Sequence, residues 1–210
     1  MGTIEFESFV TGELTWIRCQ EKSSPQANSV LACASLKGAK MTPMLYWVEG
    51  PWAGRLAISA RPRGGDWLED EAKGWRESGI CFVVSLLTPD EMRAFNLTPV
   101  EMRCREQGIT FLSFPITDRG VPPTYPEALA FIRSLEKKLA EGENVAVHCR
   151  QGLGRSSIIV ASLLVVGGLG PNSAIRRVSS ARGCPVPETA EQSEWVARLA
   201  QDVAHVRVAG

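Results

Sequence analysis

The chain has 210 residues, which is enough for one large domain, or for one domain with an accessory segment, and for a core that buries most of its apolar surface. Its 23 Lys and Arg residues balance 23 Asp and Glu residues, so no global charge recruits nucleic acid or an anionic membrane. Any anion that binds must therefore be held by a local arrangement of residues.

The N-terminal quarter is the least readable part of the sequence. Residues 1 to 43 carry short β-like pieces around a polar break and are expected to form an extension or edge strands. From residue 44 the pattern sharpens, and residues 44 to 210 are predicted to form one domain. Its first strands are predicted at "MLYWV" and "RLAIS", followed by a helix in "GGDWLEDEAKGWRESG" that Asp66 and Glu69 would cap.

The middle of the chain continues with strands and short helices. The apolar stretch "ICFVVSL", from Ile80, is typical of a strand buried on both faces of a parallel sheet. Thr88 with Glu91, and Thr98 with Glu101, each flank a proline at the offsets of a capped helix start. The next strand is predicted at "ITFLSFPI".

The alternation of strands and helices extends through the second half. Thr124 and Glu127 are expected to cap a helix, and four of its apolar residues share one face: Ala128, Ile132, Leu135 and Leu139. The segment "NVAVHC" predicts a strand, and a helix buried on all sides is predicted from Ser156. The fold class is therefore expected to be α/β, with a central, mostly parallel, twisted sheet and helices on both faces.

The sequence also bears on compartment and on bound groups. The N-terminus lacks the basic and then apolar layout of a secretion signal, and the longest apolar run, "IIVASLLVVGGLG", is too short to span a bilayer. Six scattered cysteines without a CxxC pair indicate reduced thiols, and two histidines make a metal site unexpected. We expect a cytoplasmic protein without a membrane span.

The segment "VAVHCRQGLGRSS", residues 145 to 157, joins an apolar strand to a buried helix through a glycine-rich loop. Phosphate-binding loops have this layout, because successive backbone N–H groups converge on an anion and the N-terminus of the helix adds positive charge. Gly152 and Gly154 permit the turn. Cys149 begins the loop and Arg155 ends it, so the thiol and a guanidinium that can grip two phosphate oxygens face one anion.

The positive surroundings of this loop favour the thiolate of Cys149, which would then be a nucleophile aimed at phosphorus. Neighbouring residues of a strand point to opposite faces, so His148 is badly placed to act as the base of a Cys–His protease. We expect His148 to support the loop backbone from behind, or simply to be a satisfied core histidine. Ser156 would donate a hydrogen bond to the sulfur when it leaves, or would merely begin the helix.

His148, Cys149, Gly152, Arg155 and Ser156 match "HCxxGxxRS", the signature of the cysteine-dependent protein tyrosine phosphatase superfamily, and the chain is similar to its dual-specificity branch. From about residue 47 to residue 203 the layout resembles the group that contains cyclin-dependent kinase inhibitor phosphatases. The resemblance implies a cysteinyl-phosphate intermediate and no metal or organic cofactor. It also implies that a phosphate-like anion binds the loop at Arg150, Gln151, Gly152, Leu153, Gly154 and Arg155.

The family mechanism implies an aspartic acid that protonates the leaving oxygen and later activates water. Loops at the C-terminal ends of parallel strands are where α/β sheets gather such groups. Asp118 meets this condition because it follows "ITFLSFPIT" and heads "DRGVPP", although the family's tryptophan before the proline is missing. The alternative is an ordinary turn aspartate.

A weaker resemblance lies near the C-terminus, in "VPETAEQSEWVARLAQ". Tyrosine phosphatases present glutamines that position the hydrolytic water from a segment of this kind; Gln192 occupies one such position, and Glu188 stands where another glutamine is expected. Thr189 and Gln192 also form a capping pair, which favours a structural role for Gln192.

The expected function is hydrolysis of phosphotyrosine, with phosphoserine and phosphothreonine as further substrates, in a phosphorylated protein partner; no nucleic acid is expected. The loop interior "RQGLG" lacks the lysines of phosphoinositide-specific relatives. Three alternatives stay open: a phosphatase of a lipid, nucleotide or RNA phosphomonoester, a rhodanese-like sulfurtransferase, and a silent module that binds phosphorylated partners. Three arginines either border the cleft or are solvated: Arg61, Arg63 and Arg119. Cys81 either forms a disulfide with Cys149 or is a buried apolar cysteine.

Overall fold

The computed structural model describes residues 43 to 208, so nearly all of the N-terminal extension predicted over residues 1 to 43 lies outside the described residues. Five strands form one sheet: β1 (Tyr46–Val48), β2 (Leu56–Ser59), β3 (Phe82–Ser85), β4 (Thr110–Ser113) and β5 (Val145–His148). The order across the sheet is β1-β2-β5-β3-β4, in which β1 is antiparallel to β2 and all other neighbours are parallel. The mostly parallel sheet is confirmed.

A short 3-10 helix (Gly65–Trp67) precedes seven α-helices in the described part of the chain: α1 (Leu68–Glu77), α2 (Pro89–Ala94), α3 (Val100–Glu106), α4 (Tyr125–Ala140), α5 (Arg155–Val166), α6 (Pro171–Arg182) and α7 (Ala190–Val208). Sequence reasoning did not identify α6. This helix buries only Ala174 and Val178, so its apolar periodicity is weak.

Helices cover both faces of the sheet, as the alternating pattern predicted. On one face, strand residues such as Ile58, Val84 and Val147 pack with the apolar sides of α4, α5, α6 and α7. On the other face, the small residues of the same strands pack with α1 and α3, where Trp75 and Cys104 are buried. The predicted apolar stripe of α4 is buried, and α5 is buried on nearly all sides.

Helix starts follow the predicted capping pairs only in part. Thr88 and Glu91 form the reciprocal capping box at the start of α2. The pair Asp66–Glu69 was a wrong prediction, because α1 continues from the 3-10 helix and Glu69 binds Lys73 instead. A cap at Thr98 was also wrong, since α3 is entered through Pro99; Thr124 stands at the N-cap of α4, but its side chain makes no capping hydrogen bond.

The C-terminal ends of three parallel strands meet at one edge of the sheet. His148 is level with Ser59 on β2 and with Ser85 on β3. The contacts continue beyond the strands, because Leu86 N–H donates to the His148 carbonyl and Arg61 N–H donates to the Arg150 carbonyl. The loops after β2, β3 and β5 are thereby held together. Among the described residues, none of the helices has the length and apolar character needed to cross a bilayer.

Candidate active site

A pocket of about 240 Å³ opens at this edge of the sheet, and Cys149 forms part of its wall directly after β5. Cys149 is 3% exposed. The other lining residues come from the loop after β4, from the loop after β5 and from the segment before α7: Asp118, Arg119, Arg150, Gln151, Arg155 and Glu188.

The loop between Cys149 and Arg155 passes close to other parts of the fold at both of its glycines. Gly152 has a φ of 72°, and a Cβ there would lie 2.6 Å from the Ser59 carbonyl oxygen. A Cβ on Gly154 would lie 2.4 Å from Oε2 of Glu188. The side chain of Leu153 packs on the core, so only its backbone faces the loop interior. The loop backbone therefore lies against the Ser59 carbonyl on one side and against the Glu188 side chain on the other, which leaves little room for a Cβ at either glycine.

Ser156 lies in the first turn of α5, immediately beneath the thiol. Its Oγ is 3.4 Å from Sγ of Cys149, and either atom can be the donor. The hydroxyl is fully buried, so water does not compete for this contact. The hydroxyl is within hydrogen-bond reach of the sulfur, as the sequence predicted.

The guanidinium of Arg155 is 2% exposed and is held by two carboxylates. Glu91 binds it in a fork, with Nη1–Oε2 at 2.7 Å and Nη2–Oε1 at 2.9 Å. Nη1 also donates to the Ile116 carbonyl at 2.9 Å. Such a paired and hydrogen-bonded cation is fixed in orientation before any ligand arrives.

Sequence reasoning assigned Glu91 to a helix cap and missed its contact with Arg155. One carboxylate does both, because Oε2 accepts from Thr88 N–H at 3.0 Å and also from Arg155. Burial opposes ionisation of Glu91, but the hydrogen bonds from Arg155 and Thr88 outweigh it and lower the pKa of this carboxyl. Glu91 is therefore ionised near pH 7, next to the buried guanidinium of Arg155.

Asp118 reaches the pocket from the loop after β4, as expected from the sequence. Its Oδ1 is 2.8 Å from Nη2 of Arg155, and its Oδ2 is 3.7 Å from Nη1 of Arg150. The side chain is 47% exposed, in contrast to the arginine that it binds. A turn follows at once, since Arg119 has a φ of 60° and Gly120 N–H donates to the Thr117 carbonyl.

His148 lies behind the loop, on the face of the sheet opposite to the one that Cys149 packs against. Its ring stacks on Trp75 at 6.2 Å, and Nδ1 is 3.4 Å from the Cys149 carbonyl oxygen. Burial and the nearby charge of Arg155 lower the pKa of His148 to about 4, although the hydrogen bond to the Cys149 carbonyl acts in the opposite direction. The ring is neutral near pH 7, and it contacts the loop backbone rather than the sulfur.

Gln192 is fully buried at the start of α7, and backbone groups engage both ends of its amide. Its carbonyl accepts from Glu188 N–H at 3.1 Å, and its NH₂ donates to the Gly120 carbonyl at 3.1 Å. The backbone N–H of Gln192 donates to Thr189 Oγ1, which is half of the predicted capping pair. Gln192 thus ties α7 to the loop that carries Asp118.

The other residues that the sequence singled out lie in different places. Arg119 lines the pocket, Arg63 is paired with Glu71 at 2.6 Å, and Arg61 lies over the Phe95 ring. A disulfide between Cys81 and Cys149 is excluded by the strand register. Cys81 N–H donates to the Asn144 carbonyl just before β5 begins, whereas Cys149 follows the end of β5. About 15 Å of strand separates these two points, and the Cα atoms of a disulfide lie within about 7 Å of each other.

The chain was compared with protein families, curated proteins and solved structures, and it matches phosphatases in each. Residues 59–169, which are more than half of the chain, match the family model described as "Tc-R-P: Polymorphic toxin system, DSP-PTPase phosphatase". Human protein tyrosine phosphatase type IVA 3 is 33% identical over 90 residues, which cover 42% of this chain and 49% of the relative. The curated relatives match over about half of their own length.

Two solved structures share the fold. A kinase associated phosphatase (KAP) matches with a TM-score of 0.71 and 19% identity, over 79% of this chain and 98% of that one. PTPMT1, solved in complex with PI(5)P, matches with a TM-score of 0.63 and 20% identity, over 77% of this chain and 99% of that one. At these identities the likeness concerns the fold alone.

Proposed function

Because the chain belongs to the DSP-PTPase phosphatase family of polymorphic toxin systems, we propose that it hydrolyses phosphotyrosine, and phosphoserine or phosphothreonine, in protein substrates through a cysteinyl-phosphate intermediate. One observation carries the proposal. Cys149, Arg155 and Asp118 line a single pocket, with Asp118 in hydrogen-bond contact with Arg155. Residues 44 to 210 are the proposed catalytic domain.

In the first step, an electron pair of the Cys149 sulfur attacks phosphorus and forms the S–P bond. The bond from phosphorus to the leaving oxygen breaks, and that oxygen takes a proton from Asp118. Arg155 and the loop N–H groups hold the other phosphate oxygens while charge develops on them. Phosphate oxygens compete with Asp118 Oδ1 for Nη2 of Arg155, so binding of the substrate frees the carboxyl group for proton transfer.

In the second step, water attacks phosphorus, Asp118 takes one of its protons, and the S–P bond breaks. The released sulfur is a thiolate, and Ser156 at 3.4 Å is the proposed donor to it. His148 supports the loop through the Cys149 carbonyl and takes no proton from the thiol. The two steps return the enzyme to its starting state and release inorganic phosphate.

A protein substrate is favoured by the loop interior. Arg150 is its single cation, and lysines typical of phosphoinositide-specific relatives are missing from residues 150 to 154. The test is a panel of a phosphotyrosine peptide, phosphoserine and phosphothreonine peptides, phosphatidylinositol phosphates in vesicles, and nucleotides, assayed by phosphate release with chelator present. The highest kcat/KM is expected for the phosphotyrosine peptide. Faster release from lipid or nucleotide would overturn the protein assignment.

The sulfurtransferase alternative has its own test, because that reaction needs no acid on a loop. Asp118→Asn keeps the shape of the side chain and removes its proton chemistry. Peptide hydrolysis is expected to fall about 10²-fold or more, whereas transfer of sulfur from thiosulfate to cyanide would be unaffected. Thiosulfate-dependent turnover by both proteins, with no phosphate release by either, contradicts the phosphatase proposal.

A further inference from the structure

Beside the pocket, two arginine side chains lie over one aromatic ring. The guanidinium carbon of Arg61 is 4.2 Å from the centroid of the Phe95 ring, and that of Arg150 is 5.6 Å from the same centroid. Arg150 also lines the pocket, and its carbonyl accepts from Arg61 N–H at 3.2 Å. We call Arg61, Phe95 and Arg150 the stacked arginine cluster; it adjoins the phosphate loop on the β2 side.

The charge of Arg61 is not neutralised within the described residues. Its guanidinium donates to the Pro62 carbonyl at 3.4 Å, and no carboxylate of residues 43 to 204 lies within the distance of an ion pair. The neighbouring Arg63 differs, because Glu71 binds its Nε at 2.6 Å. Arg150 has only the long 3.7 Å contact with Asp118, and its side chain is 54% exposed. The cluster therefore offers two cations with spare donor capacity.

Stacking prepares these cations for an anion. A guanidinium held over the face of a ring stays charged, and its planar set of N–H donors can still bind a carboxylate. The ring also restricts the arginine rotamers, which reduces the entropy lost on binding. The cluster combines positive charge, free donors and restricted geometry beside the pocket that Arg150 lines.

We propose that the stacked arginine cluster binds an acidic side chain next to the phosphorylated residue of a protein substrate. The inference rests on the proposed function, since it names a feature of the same substrate. An acidic peptide fits because Arg61 lies outside the loop and next to Arg150, so a second negative charge near the phosphate can reach its guanidinium.

The test uses pairs of phosphotyrosine peptides that differ at one position, where one member has Glu and the other has Gln. This position is moved in turn along both sides of the phosphotyrosine. At one or more positions, wild type is expected to prefer the Glu peptide about fivefold in kcat/KM, the size of one partly exposed ion pair. Arg61→Gln and Phe95→Leu should reduce this ratio to about one. Raising the salt concentration should also reduce it, because screening weakens exposed charge pairs.

Arg55→Gln is the matched control, because Arg55 is likewise stacked on an aromatic ring, Trp47 at 3.6 Å, but lies at the opposite end of β2. It should leave the Glu-to-Gln ratio at its wild-type value. Hydrolysis of the peptides with equal rates for Glu and Gln, or a preference that survives Arg61→Gln, overturns the inference and leaves the phosphatase proposal standing. An Arg61-dependent gain seen only with phosphoinositide vesicles overturns it in favour of a lipid headgroup. Hydrolysis of no phosphopeptide at all would instead contradict the proposed function.

Discussion

The two carboxylates that bind Arg155 divide the site into an inner side and an outer side. On the inner side, Glu91 grips the guanidinium in a fork and is 18% exposed. On the outer side, Asp118 makes one hydrogen bond to the same guanidinium and is 47% exposed. The inner contact also caps α2, so it is part of the fold, whereas the outer contact comes from a loop.

The two contacts differ in how easily they can be broken. A buried, doubly hydrogen-bonded pair is costly to break, while an exposed single contact contributes little. Glu91 therefore fixes the arginine, whereas the contact between Asp118 and the arginine is the easier of the two to exchange. Variants on the two sides should accordingly have different effects on stability and on activity.

The largest effect is expected where both sides meet, at Arg155. Arg155→Lys keeps the charge but removes the planar fork that phosphate and Glu91 both need. We expect kcat/KM for an aryl phosphate to fall about 10³-fold, which corresponds to about 4 kcal/mol of transition-state stabilisation. Arg93→Lys, in an exposed pair with Asp90, is the matched control and should keep wild-type kinetics. Similar kinetics for both variants would contradict an essential fork.

On the inner side, Glu91→Gln retains an acceptor for Thr88 N–H but leaves the buried arginine with less neutralisation. The free energy of unfolding should fall by about 3 kcal/mol, the cost of breaking a buried ion pair, as measured by urea denaturation. Asp90→Asn on the same helix has an 88% exposed side chain and should cost less than about 0.5 kcal/mol. Equal stabilities of the two variants would remove the distinction between the inner and outer carboxylates.

His148 makes the stability of the folded protein sensitive to acid. Its pKa is lowered from the ordinary 6.5 to about 4 in the folded state, so the unfolded chain binds a proton more readily and stability falls as pH falls through this window. Between about pH 7.5 and pH 4.5 the loss is about 2 kcal/mol. Glu91, whose lowered pKa acts in the same direction, contributes mainly below this range. His148→Gln should flatten the pH dependence of urea unfolding, and an unchanged slope contradicts the assignment.

The smallest effect is expected at Gln192, which connects the outer loop to α7 through the Gly120 carbonyl. Gln192→Ala should lower kcat about fivefold for phosphates with poor leaving groups, which need the proton of Asp118, because one hydrogen bond contributes about 1 kcal/mol. The loss should be smaller for phosphates with good leaving groups. Ser193→Ala, in the same turn, is the control. A loss that is equal for all leaving groups would show that Gln192 acts on stability rather than on the acid loop.

The sequence predicted the parts of the site that depend on neighbours in the chain. The Cys149 loop, the glycines within it and the strand and helix on either side follow from spacing and apolar pattern. Asp118 also followed from its place after a parallel strand. These features are local, so they could be inferred before the fold was known.

The contacts that fix the site were not predictable in the same way. Glu91 and Arg155 are 64 residues apart, and Gln192 and Gly120 are 72 apart, so no spacing rule connects them. The caps at Asp66 and Thr98 failed because the preceding turn, not the side chain, decides how each helix begins. Contacts between distant parts of the chain and the exact path of a turn are both absent from local sequence patterns.

Covalent catalysis by Cys149 is best examined by detecting the phosphoryl group on its sulfur. Aryl phosphate is mixed rapidly with wild type, the reaction is stopped with acid, and the peptide that contains Cys149 is analysed by mass spectrometry. We predict one added phosphoryl group on that cysteine. More of this adduct should accumulate in Asp118→Asn, because the aryl leaving group departs without a proton in the first step whereas the second step lacks its base. Turnover by wild type with no adduct, or with the phosphoryl group on another residue, would contradict this mechanism.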